Sequence, residues 1–270
     1  MTNAVAKPYI SEAMLDEVMD KLIQLPQAPV SITHSFGPGV YIRQMEAKAG
    51  QIIIGHPHTT AHTNMLIKGK CLFLNPDGSV VALEAPLTFA AAPGQKVAYV
   101  IEDMTWANIH ATDETNVDAL EAMYLDKKVL PDLPKIGYDG SDYQLMLKDI
   151  GMSAELVREI SELDDVIPWP YGNYKVKVGK SDIEGQGIIA VGDIAEGEVI
   201  AVARLGAKRT PAGRFTNHSG TPNAKIVDDI DGNAYLIATK PIAGSLGGYN
   251  GEEVTVDYRQ VLADKLRLAA

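Results

Sequence analysis

Three of the chain's six histidines crowd into one short stretch, His56-Pro57-His58 and His62, between Gly50 and Gly69. Histidines two apart on an extended segment face the same side of a sheet, and a third just beyond a turn can converge on them. Neutral imidazoles so arranged suit zinc, iron, nickel, copper or manganese. His56, His58 and His62 are therefore candidate ligands for one transition metal ion; the other reading makes them polar lining of a barrel. A second group is Arg214-Phe215-Thr216-Asn217-His218-Ser219-Gly220-Thr221-Pro222-Asn223, whose short polar side chains and turn formers around Phe215 predict an ordered loop. Upstream of it stands Gly185-Gln186-Gly187, a pattern that alone is often only a tight turn. Downstream, Gly251-Glu252-Glu253-Val254-Thr255-Val256-Asp257 leads to Tyr258.

The elements that must position these residues are mostly strands. Short β-rich segments separated by glycine and proline run from Gly39-Val40-Tyr41-Ile42 through Gln51 to Ile54, Met65 to Ile67, Lys70 to Leu74, Val80 to Leu83, Leu87 to Ala90 and Val97 to Ile101. They predict a small antiparallel barrel or sandwich, with Asn75-Pro76-Asp77-Gly78 as a hairpin turn. Before it, apolar residues at helical spacing predict an amphipathic helix from Ser11 to Gln24, capped by Ser11 and stopped by Pro26. After it, Thr115 and Asp118 form a capping box for a helix over Val117 to Tyr124. Breaks at Pro131, Pro134, Gly137 and Gly140 precede two more helices, Tyr143 to Asp149 and Ala154 to Ser161, the latter capped by Ser153. Trp169, in the ring-rich Ile167 to Asn173 segment, is expected to pack between domains. The remainder reads as strands again, beginning with Tyr174 to Val178, whose alternation predicts a half-exposed strand. The organisation is thus mainly β: 1–111 an N-terminal helix plus barrel, 112–170 a helical connector, 171–270 a second β-rich domain.

Composition narrows the function classes. The chain has 270 residues and 46% hydrophobic content, enough for two cores. No apolar run reaches membrane-span length, and Met1 to Pro8 lack the apolar core of a signal peptide, so a cytoplasmic protein with no membrane partner is expected. A net charge of -11 argues against nucleic acid and suits a basic peptide partner. The single cysteine, Cys71, allows neither an intrachain disulfide nor a cysteine-rich zinc cluster.

Two family resemblances attach to these residues. Gly50, His56, His58, His62 and Gly69 resemble, in spacing, the first cupin motif, with His62 where that family usually has Glu. The second cupin motif is degenerate: Ala92-Pro93-Gly94-Gln95-Lys96 leads to Val97, which cannot coordinate, so the fourth metal position would fall to water, a small acid or His110. The Arg214 to Asn223 segment resembles the Asn-His-Ser signature of SET domains, the fold of most protein lysine methyltransferases, with Gly220 where the family has Cys. Ile183 to Ile200 is similar to the family's Gly-x-Gly segment and following strand, and Gly251 to Tyr258 to its closing strand. In order, a cupin barrel followed by a trimmed SET domain is similar to proteins of bacteriophages.

The SET resemblance implies an S-adenosylmethionine pocket at Gly185, Gly187, Arg214, Asn217 and His218, and a catalytic Tyr258 shaping the channel where a lysine amine of a protein substrate meets the methyl group. The cupin resemblance implies a homo-oligomer through the barrel. One departure weighs against catalysis: only Arg204 to Gly213 stand where active family members usually carry a long insert forming a wall of the peptide groove. Two functions remain open, an S-adenosylmethionine-dependent protein lysine methyltransferase and a non-catalytic binding or structural protein such as a virion component. Asn217, His218 and Tyr258 would in the second case hold the fold together.

Overall fold

The computed structural model describes residues 12–75, 79–127 and 141–261. The Ser11 cap, the centre of the Asn75 to Gly78 turn and the breaks at Pro131, Pro134, Gly137 and Gly140 lie outside the described residues. Helix α1 (Glu12–Leu22) precedes seven strands: β1 (Ser31–Gly37), β2 (Val40–Ala47), β3 (Ile52–Ile54), β4 (His62–Leu74), β5 (Val80–Glu84), β6 (Leu87–Ala91) and β7 (Val97–Ala111). β4 and β7 pair antiparallel and each changes its other neighbour half-way. β4 takes β6 over 62–66 and β5 over 70–74, while β7 takes β3 over 97–99 and β2 over 104–111. Two long strands shared in this way fold one sheet over the other as a cupin-like barrel.

Gly69 makes the bend possible. Its φ is +87°, and a Cβ there would lie 2.3 Å from the Asp103 carbonyl oxygen of the facing strand. The sequence reading broke β4 at this glycine and ended β7 at Ile101; both strands in fact continue through the bend, and β1 was missed altogether.

The connector contains α2 (Val117–Tyr124), α3 (Ser141–Ile150) and α4 (Ala154–Ser161). Asn116, not Thr115, caps α2, its Oδ1 accepting from the backbone N–H of Asp118 at 3.0 Å and of Ala119 at 3.3 Å. Ser153 caps α4 as its position predicts, accepting from Leu156 N–H at 3.2 Å. Next, β8 (Gly172–Tyr174) adds itself to β1 on the barrel sheet. There follow β9 (Val176–Lys180), β10 (Gln186–Ala190), β11 (Val199–Leu205), β12 (Lys208–Arg209), α5 (Pro211–Phe215), β13 (Asn217–His218), β14 (Ala224–Asp228), β15 (Ala234–Ala238) and β16 (Glu253–Val256). They form two four-stranded sheets, β13-β16-β10-β9 and β12-β11-β15-β14. β13 runs parallel to β16, so the Asn217-His218 segment lies beside the closing strand.

One buried cluster runs through all three regions. It joins Phe36 and Tyr41 of the barrel, Val117 and Leu120 of α2, and Trp169, Tyr174, Val176, Ile188, Leu236 and Val254 of the C-terminal part. Trp169 is buried with its ring centroid 4.7 Å from that of Tyr174, the packing role expected of it. The strand expected to be half-exposed is split at the partly exposed Lys175, and beyond it Lys177 turns inward to Glu121 of α2 at 3.1 Å and is buried.

Leu120 is fully buried at the junction, so Leu120→Ala should cost about 2–5 kcal/mol. Because the core is shared, tryptophan fluorescence and far-UV circular dichroism in urea should report one coincident transition, at lower midpoint in the variant. Two separated transitions would contradict the shared core.

Candidate functional site

The barrel interior is set by cross-strand register. His34 faces Arg43, Arg43 faces Asn108, and Asn108 faces Asn64 across four neighbouring strands. Directly opposed residues share a face, so these four side chains make one polar rung inside the barrel. The rung beside it, Ile32, Met45, Trp106 and Leu66, is apolar. On the other side, Phe36 and Tyr41 face each other, and Tyr41 faces His110. The Tyr41 hydroxyl and His34 Nδ1 are 2.7 Å apart. His34 and Arg43 escaped the sequence reading because β1 did; alternation of Ile32, His34 and Phe36 was the signal.

His58, His62 and His110 do gather, with ring centroids 4.0 Å apart for His58 and His62, 5.2 Å for His62 and His110, and 5.9 Å for His58 and His110. Their planes lie 10° to 26° from one another. A metal ion needs in-plane nitrogen lone pairs that converge on one point, whereas stacked rings send them out side by side. His62 Nδ1–H donates to the Thr60 carbonyl at 3.0 Å, and His56 lines two cavities, one with His34, Arg43 and Glu121 and a smaller one with His58. Among the described residues no group of three or more His, Cys, Asp or Glu side chains could hold a metal ion. The transition-metal site expected at His56, His58 and His62 is thereby corrected.

Burial keeps these imidazoles neutral. It lowers His34 and His58 to about 3 and His56 and His110 to about 4, with the His62 and Arg43 charges adding to the effect at His58 and His110. His62 is also lowered, again chiefly by burial. His34 Nε2, His58 Nδ1, His62 Nε2, Asn64 Nδ2 and Arg43 Nε are buried without a hydrogen-bond partner.

The second predicted site is built around β16. Asn217 donates from its side-chain amide to Ser181 Oγ at 3.0 Å, Glu253 Oε1 at 2.8 Å and the carbonyls of Glu184 at 3.2 Å and Gln186 at 3.1 Å. Gly187 is where the Glu253 carboxylate rests: a Cβ there would lie 2.3 Å from Oε1. Gly185 meets nothing and is needed for its φ of +53°. His218 Nδ1 accepts from the Tyr258 backbone N–H at 3.2 Å, leaving Nε2–H to donate to Asp142 Oδ2 at 2.9 Å. Arg259, first, and His218 hold the Asp142 carboxyl below the usual carboxylate range. A Cβ on Gly220 would stand 2.6 Å from that carboxylate, which accounts for glycine where the SET signature has cysteine. The Tyr258 hydroxyl donates to the Thr216 carbonyl at 3.0 Å. Arg214 lies over the Phe215 ring at 5.0 Å and, with Tyr258, lines an apolar cavity of about 370 Å³ beneath α4. Ser181 and Asp142 went unseen in the sequence, for both come from segments with no motif.

Solved structures similar to part of this chain carry cupin or double-stranded β-helix domains. A cupin-2 domain protein of Shewanella frigidimarina is similar at 11% identity over 35% of this chain and 92% of its own, with a TM-score of 0.26. A Klebsiella pneumoniae protein with a double-stranded β-helix domain is similar at 20% identity over 34% of this chain and 84% of its own, with a TM-score of 0.28. No family model and no curated protein matches the sequence. The strand connectivity makes the N-terminal part cupin-like, within a mainly β chain with a helical connector. Among the described residues no helix is long and apolar enough to cross a membrane.

The histidines give the protein an acid limit. Their folded pKa values lie below the ordinary 6.5, so the unfolded chain binds more protons and stability falls as pH drops from about 6.5 toward about 4. Urea midpoints at pH 7, 6 and 5 should decrease in that order, and His58→Asn should reduce the proton uptake on unfolding at pH 5 by about one. A midpoint independent of pH over this range would show the imidazoles to be solvated.

Proposed function

We propose that this protein is a non-catalytic binding protein whose C-terminal β domain, SET-like in its three ordered motifs, serves as a scaffold for the cupin-like barrel. The observation that carries this reading is the engagement of the groups a methyltransferase would need. Asn217 is spent on Ser181, Glu253 and two carbonyls, His218 on Asp142 and the Tyr258 amide, and the Tyr258 hydroxyl on Thr216. The Glu253 carboxylate occupies the space at Gly187 through which S-adenosylmethionine would be approached. The Arg204 to Gly213 stretch, where a peptide-groove wall would rise, is a short hairpin followed by α5. It is pinned to the connector by Arg209 Nε and Asp165 Oδ1 at 2.9 Å. A virion component of a bacteriophage is one form such a scaffold takes, consistent with the cupin–SET order of the motifs.

The methyltransferase reading keeps one favourable observation, the apolar cavity beside Tyr258 and Arg214. Calorimetric titration with S-adenosylmethionine and its demethylated product separates the two. No heat and no thermal shift at millimolar ligand are expected, and Tyr258→Phe should lose only about 1 kcal/mol of stability. Saturable binding abolished by Asn217→Ala, or transfer of labelled methyl to protein lysines that Tyr258→Phe slows roughly a hundredfold, would overturn the proposal.

A further inference from the structure

A cavity of about 510 Å³ opens where the polar rung of the barrel meets α1, α2 and the C-terminal part. Its charged lining residues are Arg43, Lys127 and Lys177 against one carboxylate, Glu121. The Asp118 carboxyl, one turn earlier on α2, does not line it. Lys177 and Lys127 both bond Glu121 Oε2, the former at 3.1 Å. Burial alone would raise the Glu121 carboxyl, but the two ammonium groups overcome it and hold the group at about 2, so its charge is permanent. His34 and His56 are neutral here and add none. The lining therefore carries a surplus of two positive charges, three minus one, inside a chain whose net charge is -11.

Among the described residues no further carboxylate on the lining offsets the surplus. Arg43 makes no hydrogen bond or ion pair with another described residue, and its Nε is buried. His34 is 1% exposed, lines the same cavity and has no partner for Nε2. In the tautomer whose Nδ1 accepts from the Tyr41 hydroxyl, Nε2 carries the proton and is a donor. A buried guanidinium Nε–H and a buried imidazole nitrogen left unpaired are costly, and an anion satisfies both at once, because a planar guanidinium binds carboxylate or phosphate through two parallel hydrogen bonds. Met45, Ile53, Leu22 and Ile23 line the rest of the cavity and offer apolar surface to a short organic body.

We propose that this cavity is a binding site for a small organic dianion, with Arg43, His34, Lys127 and Lys177 holding the charged head and the apolar wall holding the remainder. A phosphate monoester and a dicarboxylate share this chemistry. The site deepens the binding-protein reading but does not depend on the C-terminal domain being inactive.

The test uses the full chain and thermal-shift and calorimetric titrations with glycerol phosphate, inorganic phosphate, succinate and 2-oxoglutarate, against chloride at equal ionic strength. One dianion class should raise the melting temperature saturably beyond chloride; the phosphate and dicarboxylate arms tell which. Arg43→Gln should weaken binding at least tenfold while melting no lower than wild type without ligand, since its buried Nε has no hydrogen bond to lose. Lys127→Gln, at the cavity rim, should weaken binding with little change in the unliganded melt. Absence of any saturable response at millimolar probe, or unchanged affinity in Arg43→Gln, would overturn the proposal. A dianion response alongside S-adenosylmethionine binding would uphold this site and refute the scaffold reading; neither response would do the reverse.

Discussion

The buried contact between Lys177 and Glu121 governs how the parts of this molecule sit together. Both residues are buried, one on a C-terminal strand and the other on the connector helix that closes the barrel. Separating them would strand a charge in a poorly solvated place, a cost of about 3–5 kcal/mol when one partner of such a pair is removed. The contact therefore fixes β9 against α2, and the apolar cluster of Leu120, Trp169 and Val176 closes around it. A hydrophobic junction alone would tolerate small slides of one part over another; a buried pair with defined donors does not.

Much of this architecture was legible in the sequence, and the failures are instructive. Helix α4 was readable from its Ser153 cap, α2 was located although Asn116 rather than Thr115 caps it, and Gly69 was visible as a special position. Its meaning was not, since the same glycine can end a strand or bend it, and the choice depends on Asp103 lying across from it. Lys177 misled for a similar reason. A lysine in an alternating strand signals a solvent face unless a carboxylate waits on another element, and Glu121 is 56 residues away in sequence. The histidine spacing was right and the chemistry drawn from it was not, because spacing places imidazoles near one another without setting their ring planes.

The C-terminal glycine, asparagine and glutamate positions answer mechanical demands of the fold. Glu253, Asn217 and Ser181 tie the Gly185-Gln186-Gly187 turn to the crossing of β13 and β16, and Asn223 brackets the same strand by accepting from Thr255 N–H and donating to the Glu253 carbonyl, each at 2.8 Å. Parallel strands of two residues supply few ladder bonds of their own. Side-chain amides and a shared carboxylate make up the deficit, so these residue types are demanded by the crossing whether or not chemistry occurs beside it.

The small strand β8 has a consequence for how the barrel can be handled. It covers His34, Ser35 and Phe36 on the outer side of β1, where an uncovered strand would present free N–H and C=O groups as a template for another chain. A barrel cut away before Gly172 would expose that row of backbone groups, together with the aromatic surface that Phe36 shares with Tyr174. Self-association of the isolated barrel would then be a property of the cut, and subunit counts are meaningful only for a chain that retains its C-terminal part.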